Sequence, residues 1–170
     1  MSLEQLWNGW RAQYVGQKEG QSPDPSTSVF THILESGLTD DDAYIVHRSI
    51  HCFVILNAYP YASGHLLVLP YREIPNLEDL STEESLDLWN CVTNATVALR
   101  SSHSPDALNV GINLGAAAGG SIARHLHVHV VPRWNGDSNF MTSVADTRTI
   151  PEPLSLTASK VRAAWPEGDQ

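Results

Sequence analysis

Three histidines alternate with apolar residues in His125-Leu126-His127-Val128-His129-Val130-Val131-Pro132. Successive side chains on a strand point to opposite faces. The pattern therefore predicts one face shared by the three imidazoles and another formed by Leu126, Val128 and Val130. Same-face neighbours then stand roughly 6.6 Å apart, at a rise of about 3.3 Å per residue. The apolar half needs only a core to cover it. Imidazoles are poor core material unless each finds partners. Three uses fit these residue types. One is a polar sheet face covered by water. A second is a metal site, with two strand imidazoles on one ion and a further ligand from His32, His47, His51, His65 or His103. The third is phosphoryl chemistry, in which one imidazole attacks phosphorus while the others fix its tautomer and stabilise oxyanions.

The residues just upstream favour phosphorus. Gly115, Gly119 and Gly120 interrupt an alanine-rich loop over 116–124 that runs into the histidines, and Ser121 adds a hydroxyl. Glycines let backbone N–H groups approach an anion closely. A metal site would draw on carboxylates, and residues 107–136 contain none.

The elements that must carry these residues follow from periodicity. AYIVHRS (43–49), HCFVILN (51–57) and GHLLVLP (64–70) are apolar and β-branched and predict strands, the last ending at Pro70. NAYPYASG (57–64) is a turn-rich connection. Ser81 followed by Glu84 is a capping-box signature, and Leu86, Trp89, Cys91 or Val92, Ala95 and Leu99 then recur at helical spacing. Residues 106–115 and 125–133 predict two more strands, and 154–165 a short last helix. Leu3, Leu6, Trp7, Trp10 and Tyr14 suit a short amphipathic helix at the start, followed by a loop over 16–28. The expected organisation is an N-terminal helix and loop (1–28), one catalytic-sized domain (29–153) and a C-terminal helix and tail (154–170). Strands joined by short connections make this an α+β fold with an antiparallel sheet.

Composition excludes other classes. At 170 residues, with 42% hydrophobic and 17% charged residues, the chain can bury a core of its own. A net charge of −9 is unsuited to a dedicated nucleic-acid binder. The apolar stretches near 52–56 and 66–70 are too short to span a bilayer. The opening residues lack the cationic and apolar regions of a secretory signal, and Cys52 and Cys91 form neither a disulfide framework nor a CxxC pair. A cytoplasmic protein with buried free thiols is expected.

The run HLHVHVV resembles the signature of the histidine triad (HIT) superfamily of nucleotide hydrolases and nucleotidyl transferases. LNAYPYASGHLLVLPYREIPNLEDLSTEE resembles the family's nucleotide-facing hairpin and helix entry, and GINLGAAAGGSIARHLHVHVVPRWNGDSNF its active-site region. LWNGWRAQYV with PRWNGDSNF is most similar to the bacterial branch of diadenosine tetraphosphate phosphorylases and hydrolases. The resemblance implies a HIT-like fold: a five-stranded antiparallel sheet, one long helix and short terminal helices, assembled as a homodimer. It implies that His127 is the nucleophile and becomes a nucleotidyl-histidine. His125 orients His127 through its backbone carbonyl, His129 donates to phosphate oxygens, and His65 supports the triad from behind. Asn57 matches the ribose-binding position, and Asn113, Gly120 and Ser121 the phosphate loop. Without the resemblance, Asn57 reads equally well as a turn cap.

The resemblance also carries a departure. Many relatives hold zinc with a CxxC pair, where this chain has Ser28-Val29-Phe30-Thr31. Hydroxyls are poor zinc ligands beside thiolates, so no structural zinc is expected, and His47 and His51 become ordinary strand residues. Mg²⁺ enters, if at all, with the substrate polyphosphate. The expected function is cleavage of a phosphoanhydride in a dinucleoside polyphosphate. Hydrolysis of a nucleoside phosphoramidate or adenylyl-sulfate, or a non-catalytic nucleotide- or metal-binding module, are the alternatives. Two cations flank the triad, Arg124 and Arg133, and alternation points Arg133 toward the histidine face as a holder for a second anion.

Overall fold

The computed structural model describes residues 27–118, 122–137 and 152–167. The helix expected in the first fifteen residues, the glycine loop's Gly119, Gly120 and Ser121, and residues 138–151 lie outside the described residues. In chain order the elements are α1 (Val29–Glu35), α2 (Asp40–Ala43), β1 (Ile45–Arg48), β2 (Cys52–Leu56) and β3 (Leu66–Pro70). They are followed by α3 (Thr82–His103), β4 (Ala107–Ile112), β5 (Val128–Arg133) and α4 (Leu154–Ala163). The five strands form one antiparallel sheet in the order β1-β2-β3-β5-β4, as expected for a HIT-like fold.

Both faces of β2 and β3 are covered, which is why these strands read as unbroken apolar runs. Val54, Leu66 and Val68 point to the α3 side and share a core with Leu88, Leu99, Leu126, Val128, Val130 and Val161. Phe53, Ile55, Leu67 and Leu69 point the other way and pack beneath Phe30 and Ile33 of α1. The triad strand obeys the expected alternation: its apolar residues belong to the α3 core, and the His125 ring meets Phe30 across the sheet. Regular strand pairing begins only at Val128, so His125 and His127 sit in the extended segment that leads into β5.

Helix α3 starts as its sequence predicts. The Ser81 hydroxyl accepts from the Glu84 N–H and the Glu84 carboxylate accepts from the Ser81 N–H, a complete capping box. Its buried face keeps Cys91, Val92, Ala95 and Leu99 of the expected stripe but not its first two members. Leu86 and Trp89 are 65% and 46% exposed, while Leu88, Cys91, Val92, Ala95, Ala98 and Leu99 meet the sheet. Small residues at 91, 95 and 98 let the helix axis approach closely, and that approach decides which stripe turns inward. Gly64, at φ +84°, closes the β2–β3 hairpin against this helix. A Cβ there would stand 3.0 Å from Leu99 Cδ2 and 3.1 Å from Pro132 Cγ. Cys52 and Cys91 are both buried, as read from the sequence.

Candidate active site

His65, on the residue that follows the Gly64 turn, and His129 of β5 meet across the β3–β5 pair, with Nε2 of His65 2.9 Å from Nδ1 of His129. The His127 and His129 rings are 4.9 Å apart. Opposite His129 on β4 stands Gly111, where an added Cβ would meet nothing within 4 Å, so the imidazole face is open on that side. Two residues further along, the Asn113 amide reaches within 3.5 Å of His129 Nε2. Four of the expected site residues, His65, His127, His129 and Asn113, are thus brought together, with His125 directly behind His127.

Backbone partners settle which ring nitrogen carries each proton, because a carbonyl only accepts and an amide N–H only donates. His127 Nδ1 lies 2.7 Å from the carbonyl of His125 and must donate to it. Its Nε2 is left with the lone pair. His65 Nδ1 accepts the Tyr61 backbone N–H at 3.1 Å, so its Nε2 donates to His129 Nδ1. His129 in turn carries its proton on Nε2, and the Asn113 amide 3.5 Å away must then turn its oxygen, not its NH₂, to that proton. The site therefore holds an imidazole lone pair on His127 beside a hydrogen-bond donor on His129.

Burial keeps His125 and His129 neutral. Desolvation, with a smaller push from His127, lowers the His129 pKa to about 4. Desolvation also lowers His125, although its bond to the Pro70 carbonyl and the nearby Glu73 work against the shift. A neutral His129 at pH 7 donates through Nε2–H without placing a positive charge beside its neighbours.

Asn57 adopts the turn-cap arrangement that its residue type also allowed. Its Oδ1 accepts the Tyr59 N–H at 3.0 Å and its Nδ2 lies 3.3 Å from His65 Nδ1. Arg133 is not the anion holder suggested by alternation. It forms two short bonds to Asp137, at 2.6 and 2.8 Å, and a third to Asn109. Strand β5 ends there, and the following turn returns a carboxylate onto the guanidinium. His47 lies in β1 and stacks on Trp165 at 4.5 Å, and the His51 N–H donates to Asp87. Among the described residues no group of three His, Cys, Asp or Glu side chains converges as a metal site would require.

Three residues near the site escaped sequence reasoning. The Tyr61 ring packs on His65 at 4.5 Å and is stacked with His129 at 5.9 Å. Ser28 and Glu73 form a network with His125. Nothing in their local sequence signals this, since Glu73 and Ser28 are 45 positions apart.

Comparison with known proteins gives these features a family. The model of the HIT domain matches residues 39–136, more than half of the chain. The chain belongs to the HIT family. This HIT protein is 40% identical to an AP-4-A phosphorylase of Mycobacterium tuberculosis over 168 residues, covering 96% of this chain and 85% of the relative. A bis(5'-nucleosyl)-tetraphosphatase [asymmetrical] of Schizosaccharomyces pombe is 34% identical over 93 residues, 55% of this chain and 50% of that one. Among solved structures, a HIT-like protein from Bartonella henselae superposes with a TM-score of 0.67 at 26% identity, covering 85% of this chain and 99% of that one. A Zn-bound histidine triad family protein from Mycobacterium smegmatis superposes with a TM-score of 0.66 at 29% identity, over 81% and 91% of the two chains.

Proposed function

We propose that this HIT protein cleaves a dinucleoside polyphosphate of the diadenosine tetraphosphate type, by phosphorolysis through a nucleotidyl-histidine on His127. One observation carries the reading: the His125 carbonyl holds the Nδ1 proton of His127, which leaves the lone pair on Nε2 of a ring beside His129. Likeness to an AP-4-A phosphorylase over most of the chain supports the substrate class and the acceptor. Nε2 attacks the α-phosphorus of one adenylyl half, the phosphoanhydride breaks, and ATP leaves. The His129 Nε2–H donates to the phosphoryl oxygens as charge builds on them. Inorganic phosphate then attacks the same phosphorus, the P–N bond breaks, and ADP is released with His127 restored. Asn113, Gly120 and Ser121 contact the phosphates in this scheme, and Asn57 the ribose.

Incubation with diadenosine tetraphosphate, with and without inorganic phosphate, tests the acceptor. ADP plus ATP formed only with phosphate is the expected result. AMP plus ATP formed in either case makes the protein an asymmetric hydrolase, the activity named for the Schizosaccharomyces pombe relative. No turnover of any dinucleotide returns the reading to a phosphoramidate or adenylyl-sulfate substrate.

The protein contributes no metal to this reaction; Mg²⁺ accompanies the polyphosphate. Ser28 and Thr31 are engaged with His125 and Glu73, and metal analysis of the purified protein is expected to find well under one zinc per chain. A homodimer is also proposed. Trp165 packs against its own core, and Trp7 and Trp10 lie outside the described residues. Strand β4 instead forms a sheet edge with Val110 45% exposed, and α3 exposes Leu86, Trp89 and Val97. Light scattering at micromolar concentration is expected to give twice the chain mass, and a monomer would refute the dimer. No described helix is long and apolar enough to cross a membrane. A cytoplasmic location is part of the proposal.

A further inference from the structure

We propose that Ser28 is a positioning residue of the triad: anchored by Glu73, it donates a hydrogen bond to His125 and so holds the carbonyl that orients His127. The inference rests on the reading of His127 as nucleophile. Its central residue, Ser28, lies before residue 39 and so outside the stretch that matches the family model.

The proton positions follow from fixed partners. His125 is 1% exposed, and its Nε2 lies 2.9 Å from the Pro70 carbonyl, so Nε2 must carry the proton. In the neutral ring Nδ1 then accepts. The atom that meets it, at 2.7 Å, is the hydroxyl oxygen of Ser28, itself 2% exposed. The Ser28 proton is therefore directed at His125, while its oxygen accepts the Thr31 N–H at 3.1 Å.

Ser28 is in turn held from below. Glu73 Oε2 accepts the Ser28 backbone N–H at 2.8 Å and the Thr31 hydroxyl at 2.6 Å, and Arg124 Nε stands 3.6 Å from Oε1. One carboxylate thus ties the start of α1 to the residue directly before His125. Phe30, two residues into the same turn, lays its ring against His125 at 5.5 Å and His127 at 5.7 Å. The chain from Glu73 through Ser28 and His125 to the Nδ1 proton of His127 has a donor and an acceptor defined at every link. Without the Ser28 hydroxyl, the His125 ring loses its only described partner at Nδ1. The Pro70 bond alone then holds the ring, which can rotate, and its carbonyl moves with it.

An N-cap serine would also stabilise α1, so the test must separate capping from positioning. Glycine caps a helix nearly as well as serine and alanine does not, but both lack the hydroxyl. With the full chain, diadenosine tetraphosphate and inorganic phosphate, Ser28→Gly and Ser28→Ala are both expected to lower kcat about 10- to 100-fold, with KM within about twofold of wild type. Ser28→Thr keeps the donor and is expected to restore kcat to within about threefold. Ring ¹⁵N spectra of the wild-type protein are expected to show His125 as the Nε2–H tautomer with a hydrogen-bonded Nδ1, and the Nδ1 signal is expected to move downfield in Ser28→Gly as that bond is lost. A kcat within about twofold of wild type in Ser28→Gly, or an Nδ1–H tautomer at His125 in wild type, overturns the proposal. The spectrum decides the matter even if Ser28→Ala does not fold. If His127→Ala is inactive while the Ser28 variants match wild type, only the positioning role falls. If His127→Ala stays active, it is the covalent reading that fails, and the tautomer of His125 is judged by its own spectrum.

Discussion

His127→Ala is expected to reduce release of ATP from diadenosine tetraphosphate by at least about 10⁴-fold while nucleotide binding changes little. The variant loses the atom that forms the P–N bond, an interaction made only on the way to the transition state. The groups proposed to hold the nucleotide, Asn57 and the phosphate loop, are untouched. His127 is 7% exposed, and its ring sits among His125, His129 and Phe30, so truncation leaves a small cavity beside an intact sheet. Single-turnover assays with direct nucleotide-binding measurements check both halves. A loss smaller than about 10⁴-fold would mean that His127 gives general acid–base help only, which is worth roughly 10²–10⁴. Trapping of a covalent nucleotidyl-protein in wild type and its loss in the variant completes the test.

For His129→Ala, a loss of about 10²–10³ in kcat is expected with a smaller change in KM, the size usually found when one preorganised donor to a developing oxyanion is removed. The expectation depends on the proton relay from the Tyr61 N–H through His65, which makes Nε2 of His129 a donor. An unchanged kcat would show that the phosphoryl oxygens are stabilised elsewhere. The same residue has a stability signature. Its folded pKa, about 4, lies below the value of roughly 6.5 that an unfolded histidine shows. Between these values the unfolded chain binds more protons than the folded one, so stability is fully present above pH 6.5 and is lost as pH falls toward 4. Burial of His125 acts in the same direction. Denaturant titrations across this range are expected to show wild type losing at most about 3 kcal/mol from His129. His129→Ala should show a shallower decline.

Much of this site was legible because it is written in short-range patterns. Alternation in HLHVHVV separates a core face from an imidazole face, and that separation holds even where regular strand pairing has not begun. Ser81 and Glu84 satisfy each other within a single helical turn, so no distant residue is needed to place the start of α3. Other features depended on partners far along the chain. Seven residues, Val29–Glu35, are too few to hold a helix alone, and α1 exists because Phe30 and Ile33 bury against Phe53, Ile55 and Leu67. The stripe of Leu86 and Trp89 fits helical spacing as well as the stripe actually buried, and only contact with the sheet distinguishes them. Trp165 joins the core only once α4 is laid across β1, where Arg162 donates to the Ile45 carbonyl and Trp165 stacks on His47.

By itself the sequence determined the kind of chemistry: imidazoles in register, a glycine-rich loop ahead of them without carboxylates, and an apolar face to anchor both. Those are properties of residue type and period, which survive whatever the rest of the chain does. Which nitrogen carries each proton was decided only by the tertiary structure. A tautomer is set by the partner at the other ring nitrogen, and those partners arrive from separate elements: the His125 carbonyl for His127, Tyr61 for His65, and Pro70 with Ser28 for His125. Arg133 shows the same dependence, because strand alternation aims it toward the histidine face and a carboxylate four residues later claims it.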